Sequence, residues 1–257
     1  MLRKCIKHEW LATARSFLPM FAFIIILTPI FSIIMKLNIS EDIMVLNFFK
    51  PMGIFGFIVM IIAIYIATFI FVITRFYRTT ATSEAYLTFT LPVSTHHILL
   101  SKWLVAVFWQ VIAAILAICS ILAMTFITEV WTPSEALHFI EDIFSFAVKD
   151  TSIIKWMLLF GLSLLIQSAA GTLQFYCSII LGQLVRNHRI LASIGIYMAI
   201  YVALQFIGML FLMPLFLFNI DDYYTITIYI SIIENVLLSG VFYFVTAWVM
   251  KKHLNVQ

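Results

Sequence analysis

Charge is scarce in this sequence. Asp, Glu, Lys and Arg together make up 11% of 257 residues, against 64% hydrophobic residues. A soluble domain is nearer half apolar and about a quarter charged. A chain of this composition cannot cover itself with polar surface in water. Its mean hydropathy of +1.10 points to lipid as the solvent. Cysteine is also rare: Cys5, Cys119 and Cys177, with no Cys-x-x-Cys. That excludes a disulfide framework and a cysteine metal site, and the three read as small apolar residues. None of the eight glycines is followed by Lys, so the phosphate-cradling Gly-x-x-x-x-Gly-Lys-Ser/Thr is missing. Any energy from ATP must come from another chain. His-Glu-x-x-His and Gly-x-Ser-x-Gly are missing too, which argues against a zinc protease and a serine hydrolase. His96 and His97 are adjacent, and adjacent helical side chains diverge by about 100°, a poor fit to one metal. No catalytic residue, metal site or nucleic-acid partner is expected.

What the chain does contain is long apolar runs. A helical span needs about 20 mostly apolar residues. Six stretches qualify: 16–35, 52–74, 103–128, 156–184, 190–218 and 228–250. The fold class expected is an all-α integral membrane protein, with residues 1–257 forming a single transmembrane domain. The basic start and the first run resemble a signal sequence superficially. The run is long for one and no small-x-small site follows, so it reads as a retained span. Pro214, near the end of the fifth run, is a plausible place for a break.

The charges are sorted by loop. Arg3, Lys4, Lys7, Arg15, Arg75, Arg78, Lys102, Arg186, Arg189, Lys251 and Lys252 are 11 of the 15 basic residues, and all fall at the N-terminus, at alternate connections or at the C-terminus. The other connections hold Lys36, Lys50, Lys149 and Lys155 with most of the acids: Glu41, Asp42, Glu129, Glu135, Glu141, Asp142, Asp150, Asp221 and Asp222. The positive-inside rule therefore puts both termini in the cytoplasm, and six spans satisfy that parity.

Two flanking segments look amphipathic. In residues 2–17, Leu2, Ile6, Trp10 (or Thr13) and Phe17 share a stripe away from Arg3, Lys4 and Lys7. Such a helix suits the inner interface before Pro19 turns the chain inward. On the outside, Thr132-Pro133-Ser134-Glu135 starts a helix with a capping acid, and Leu137, Ile140, Phe144 and Ala147 form its apolar stripe.

The connection between the second and third runs is the longest on the inner side. It is not simply polar: Tyr86, Leu87, Phe89 and Leu91 come with few charges. Ser83 can cap a short helix, and Glu84 sits where the helix dipole favours an acid. Pro92 ends that helix, and Ser94 can cap the next one. Physically this is either a docking knob for a partner or an interfacial helix packed on lipid or on its own bundle.

Glu84-Ala-Tyr-Leu-Thr-Phe-Thr-Leu-Pro-Val-Ser94 resembles the loop of permease subunits of ABC (ATP-binding cassette) transporters of the type-2 exporter family. The layout is similar as well: basic amphipathic N-terminus, six spans, loop position. The resemblance implies that this loop is a coupling helix seated in a groove of an ATPase subunit. Ser83, Glu84, Ala85, Tyr86, Leu87, Phe89 and Leu91 would then form the dock. It implies two six-span subunits, a second copy or a related permease, on two ABC ATPases that hold ATP and Mg. It implies a location in a cell (plasma) membrane of bacterial type, and export of a lipid, drug or membrane-active peptide. In that family the fifth-to-sixth connection is often a pair of re-entrant outer helices, and segment 210–227 with Asn219-Ile-Asp-Asp-Tyr-Tyr224 is compatible with them. A lone ion-coupled carrier or channel, and a non-transporting anchor or sensor subunit, are the rival readings.

Polar residues inside the spans are the candidates for a substrate path: Gln110, Gln167, Gln174, Glu234 and Asn235, with Gln183 and Gln205 as further amides inside the spans. An ionisable group at membrane depth is costly and faces a cavity or partner, so Glu234 stands out; its alternative is a wetted position near the surface. Glutamines more often bond across helix interfaces. A green fluorescent protein fused after Gln257 is expected to fluoresce, and alkaline phosphatase inserted in the 129–150 connection to be active. The reverse pattern would invert the topology.

Overall fold

The computed structural model describes residues 1–36, 44–82, 93–128, 134–135, 137–138, 141, 151–185, 187–217 and 223–253; at 44–51, 151–153, 212, 214–217, 223–224 and 253 it describes the backbone only. Six long helices follow one another: α1 (Leu2–Lys36), α2 (Met44–Ala81), α3 (Thr95–Ile127), α4 (Thr151–Gly182), α5 (Arg189–Leu217) and α6 (Tyr223–His253). All six are long and apolar enough to cross a membrane. Their outward faces are large and hydrophobic. On α2 alone Phe55, Ile58, Ile62, Ile66 and Ile70 are exposed. A surface of that kind is unstable in water and normal in lipid. The chain is an all-helical protein of multi-pass membrane type.

Five of the six helices are longer than the apolar runs that announce them, and α5 matches its run in length. α2 continues seven residues past Thr74, and α3 begins eight residues before Trp103. The most visible departure from the sequence expectation is at the N-terminus. Instead of an interfacial helix 2–17 followed by a turn, α1 is one helix that continues through Pro19 and Pro29. Each proline removes one backbone donor, which a long helix in lipid tolerates when its neighbours support it. The buried stripe of α1 is Glu9, Thr13, Phe17, Phe21, Ile24, Thr28 and Ser32. Thr13 and Phe17 belong to the expected stripe; Leu2, Ile6 and Trp10 are half-buried. Glu9 is invisible to an apolar pattern yet only 8% exposed. Arg3, Lys4, Lys7 and Arg15 are exposed, whereas Lys102 is buried. At the other proline, α5 remains helical through Pro214 to Leu217. Segment 218–222 and Ala147, Phe144 and Ile140 of the outer stripe lie outside the described residues; Ser134, Glu135, Leu137, His138 and Glu141 are helical, and His138 pairs with Glu141 at 3.5 Å.

The chain divides into two compact units. The unit of His8–Phe71 and Phe108–Ile153 is organised around Trp109. Its ring stacks on Trp10 at 4.7 Å and on Phe17 at 4.9 Å, with Phe21 at 5.8 Å. Its Nε1–H donates to Thr13 Oγ1 at 2.9 Å, and Thr13 in turn donates to the Glu9 carbonyl at 2.8 Å. One indole thus ties α3 to α1 by both stacking and a hydrogen bond.

The other unit contains Met1–Lys7, Val72–Val107 and Ile154–Gln257. Leu173, Cys177 and Phe242 join α4 to α6, with Trp103, Leu204 and Leu238 packed around them. Phe76 of α2 stacks face to face on Tyr176 of α4, centroids 3.7 Å apart. α4 and α5 meet almost backbone to backbone. A methyl placed on Gly182 would fall on Ser193 Oγ and lie 2.7 Å from the Ser193 nitrogen. His188 holds a positive φ of 55° in that connection, and its carbonyl accepts from Ala192 N at 2.9 Å as α5 begins. At the far end of α6, Lys252 lies 5.0 Å over the Trp248 ring, an aromatic and cation pair suited to a membrane interface.

Hydrocarbon lipid is as apolar as a protein core, so removing Trp109 forfeits packing rather than transfer energy. With two stacked partners at about 0.5–1.5 kcal/mol each, Trp109→Ala is expected to cost roughly 1–3 kcal/mol. Trp109→Phe should retain most of the stability. Thermal melting in detergent compares them; equal melting of wild type and Trp109→Ala would remove this indole from the core.

Candidate functional site

Helices α4, α5 and α6 line a half-open cavity of about 1030 Å³. Gln167, Gly171 and Gln174 line it from α4; Tyr197, Tyr201, Gln205, Met209 and Met213 from α5; Thr227, Ser231, Glu234, Asn235, Leu238 and Phe242 from α6. The volume matches sites for drug-sized ligands, and the lining has their usual character, apolar with a few convergent polar groups.

The helix registers decide which groups share a level. Trp156 Nε1 donates to Thr225 Oγ1 at 3.2 Å, and Cys177 hydrogen-bonds Thr246. Both contacts are 69 residues apart, so α4 and α6 run side by side in step. Gln167 therefore stands level with Glu234 and Asn235, to within about one turn. Between α4 and α5 the Phe175–Tyr197 stack at 3.9 Å and the Gly182–Ser193 contact fix an antiparallel register. That register sets Gln205 opposite Gln167. Three amides and one carboxyl thus form a polar belt at one depth.

Toward the C-terminal ends of α4 and α6, the cavity wall is Gly171, Tyr201, Leu204 and Leu238, then Gln174, Tyr197 and Phe242. Eight residues, about 12 Å of helix, separate Glu234 from Phe242. About 26 Å of helix separates Glu234 from Lys251. With Lys251 at one face of a core about 30 Å thick, the belt lies close to the opposite face. The carboxyl and most of the amides lie near that face, and the deeper wall is mostly aliphatic and aromatic, with Gln174, Tyr197 and Tyr201 as its polar members.

The amides differ in how they are satisfied. Asn235 Nδ2 donates back to the Ser231 carbonyl at 2.8 Å and lies 3.4 Å from Ser231 Oγ. Its side-chain oxygen is the group left to accept. Gln174 is 8% exposed, and its Nε2 has no hydrogen-bond partner among the described residues. Gln183 Nε2 is in the same condition, near the α4–α5 connection.

Of the five residues expected along a substrate path, Gln167, Gln174, Glu234 and Asn235 line this one cavity. Gln110 does not: it sits on α3 with 2% exposure, outside the lining. Sequence reasoning missed Tyr197, Tyr201 and Ser231, and did not place Gln205 at the site. The signal was present as four-residue spacing, 197–201–205 on α5 and 231–235 on α6, which puts each set on one helix face.

Ser83, Glu84, Ala85, Tyr86, Leu87, Phe89 and Leu91 lie outside the described residues. The helix that follows them is anchored. The Ser94 carbonyl accepts from His97 N at 3.0 Å and Ile98 N at 3.3 Å, the expected cap position. His97 Nδ1 pairs with Ser94 Oγ, whereas His96 Nδ1 reaches Tyr243 Oη of α6 at 3.3 Å, so the two imidazoles serve different partners. Farther along α3, Trp103 Nε1 donates to the Ala169 carbonyl of α4 at 3.0 Å. Ala169 and Tyr243 are the chain neighbours of Ala170 and Phe242, which line the cavity. Among the described residues, no group of three His, Cys, Asp or Glu side chains could hold a metal.

Comparison with family models, with curated proteins and with solved structures finds no match to this chain.

An amide donor buried without a partner costs about 1–3 kcal/mol. Gln174→Leu is therefore expected to raise the melting temperature of the purified protein. A clear loss of stability in that variant would show that the amide is satisfied in the membrane-embedded state.

Proposed function

We propose that this chain is the membrane-spanning subunit of an ATP-driven ABC exporter. It moves a hydrophobic or amphipathic substrate with energy from a separate ATPase subunit. The observation that carries the reading is the wording of segment 84–94, at the connection between the second and third spans. ATP and Mg belong to the partner, because this sequence has no phosphate-binding loop.

The surroundings of that segment support the reading. The helix that leads into it, α2, extends about 10 Å beyond the apolar run, and α3 begins about 12 Å before its own. Both extensions are packed. Phe76, Thr80 and Leu99 are buried, and Phe76 stacks on Tyr176. A loop mounted on such stalks transmits a push instead of absorbing it. From α3 the push reaches α6 through His96 and Tyr243, and α4 through Trp103 and Ala169. Those helices wall the cavity. In the proposed cycle, closure of the ATPases moves the loop, α3 shifts α4 against α6, and the cavity alternates its access. Both termini face the cytoplasm of a bacterial-type plasma membrane. A second copy or a related six-span chain completes the transporter.

The test is copurification with any ABC-type ATPase encoded next to this chain. Glu84→Ala and Leu87→Asp are expected to abolish assembly or transport-coupled ATP hydrolysis while membrane insertion persists. An intact complex with normal coupled turnover in both variants would end the docking proposal. Ion conduction by the chain alone, with no ATPase bound, would replace it with a channel or carrier.

A further inference from the structure

We infer that the cavity between α4, α5 and α6 takes an amphiphile with a hydrogen-bonding ammonium head. The head would sit in the belt of Gln167, Gln205, Glu234 and Asn235, with the apolar tail along Leu204, Leu238 and Phe242. The inference deepens the exporter reading, and rests on it for transport but not for binding.

Three observations point to this chemistry. First, Glu234 is the one Asp, Glu, Lys, Arg or His among the described lining residues. A carboxylate at the edge of a low-dielectric cavity selects the sign of its ligand, since nothing basic lines the wall to neutralise it. Second, the belt is rich in acceptors. Asn235 spends its amide donor on Ser231 and keeps its oxygen, and the carboxylate of Glu234 accepts only. Gln167 and Gln205 can each turn an oxygen inward. A primary ammonium brings three donors to such a ring, whereas a sulfate or phosphate brings none. Third, the wall beyond the belt is mostly apolar. Leu204, Leu238 and Phe242 run along about 12 Å of it, with Gln174, Tyr197 and Tyr201 as its polar members. A head and a tail held in that order match an amphiphile lying in one leaflet. A uniformly apolar solute would leave the belt unpaired.

The experiment uses the full chain in phosphatidylcholine nanodiscs without an ATPase. Radiolabelled dodecylamine is the probe, below its micelle concentration, with empty nanodiscs as background. Saturable binding is expected, displaced well by unlabelled dodecylamine, less well by dodecyltrimethylammonium and not by dodecyl sulfate. Glu234→Gln, nearly isosteric, should weaken binding about ten-fold or more. Gln205→Glu, which adds a second carboxyl to the belt, should strengthen it and guards against misreading a folding defect. Loss of dodecylamine binding in nanodiscs that contain phosphatidylethanolamine would identify the lipid ammonium headgroup as the occupant. Retained binding there would favour a dissolved amine, and both outcomes support the ammonium site. Equal competition by dodecyl sulfate, or unchanged affinity in both Glu234→Gln and Gln205→Glu, would overturn it. Because no ATPase is present, failure here leaves the exporter reading standing. Success here with no ATPase partner would retain the site and remove the exporter.

Discussion

A polar group inside a membrane span must find its partner without help from bulk water. The fold meets that constraint largely within single helices. Thr28, Ser32, Thr68, Thr80, Ser178 and Thr246 are all buried, and each hydroxyl donates to a carbonyl four residues earlier. Such residues pack as closely as small apolar ones and leave no donor exposed to hydrocarbon. Interhelical contacts are then free to be aromatic. Trp109 among Trp10 and Phe17, Phe76 on Tyr176, and Phe175 on Tyr197 each join two different helices. Where a polar side chain does cross between helices, it positions something. Trp103 and His96 tie α3 to the walls of the cavity.

The same constraint explains what could be read from sequence. The six spans were legible because hydropathy over 20 residues is set by the solvent. Their ends were not, because a helix outlasts its apolar run wherever packing continues, as at Ala81 and Thr95. The N-terminal helix shows the limit most clearly. A basic stripe beside an apolar one reads as a surface helix that turns at a proline. Yet α1 continues, and its buried face includes Glu9 and three hydroxyl residues along with the phenylalanines. A hydrophobic pattern cannot find a buried face that is partly polar. At the site, single polar residues were visible one by one. Their convergence was not, because it depends on the registers of three helices, fixed by contacts such as Trp156 with Thr225.

In the proposed cycle, coupling and recognition use different parts of the molecule that share helices. The connection before α3 carries the wording that suggests a partner, and the cavity carries the only described chemistry that could select a ligand. α3 touches both α4 and α6 but contributes nothing to the described lining. A change in its position would therefore alter the cavity by moving its walls, leaving the groups that face the ligand unchanged.

The close approach of Gly182 and Ser193 gives that movement a geometry. The backbones of α4 and α5 are in contact there, with room only for a hydrogen on the glycine. Fifteen residues away, about 22 Å along α4, stands Gln167 with Gln205 opposite. The pair acts as tweezers, pinched at Gly182 and open at the belt. By this lever a rotation of roughly 3° at the pinch shifts the tips by about 1 Å, the difference between a hydrogen bond made and one lost. In the proposed binding mode, a residue with no side chain, far from the ligand, would therefore govern how firmly the tips can grip.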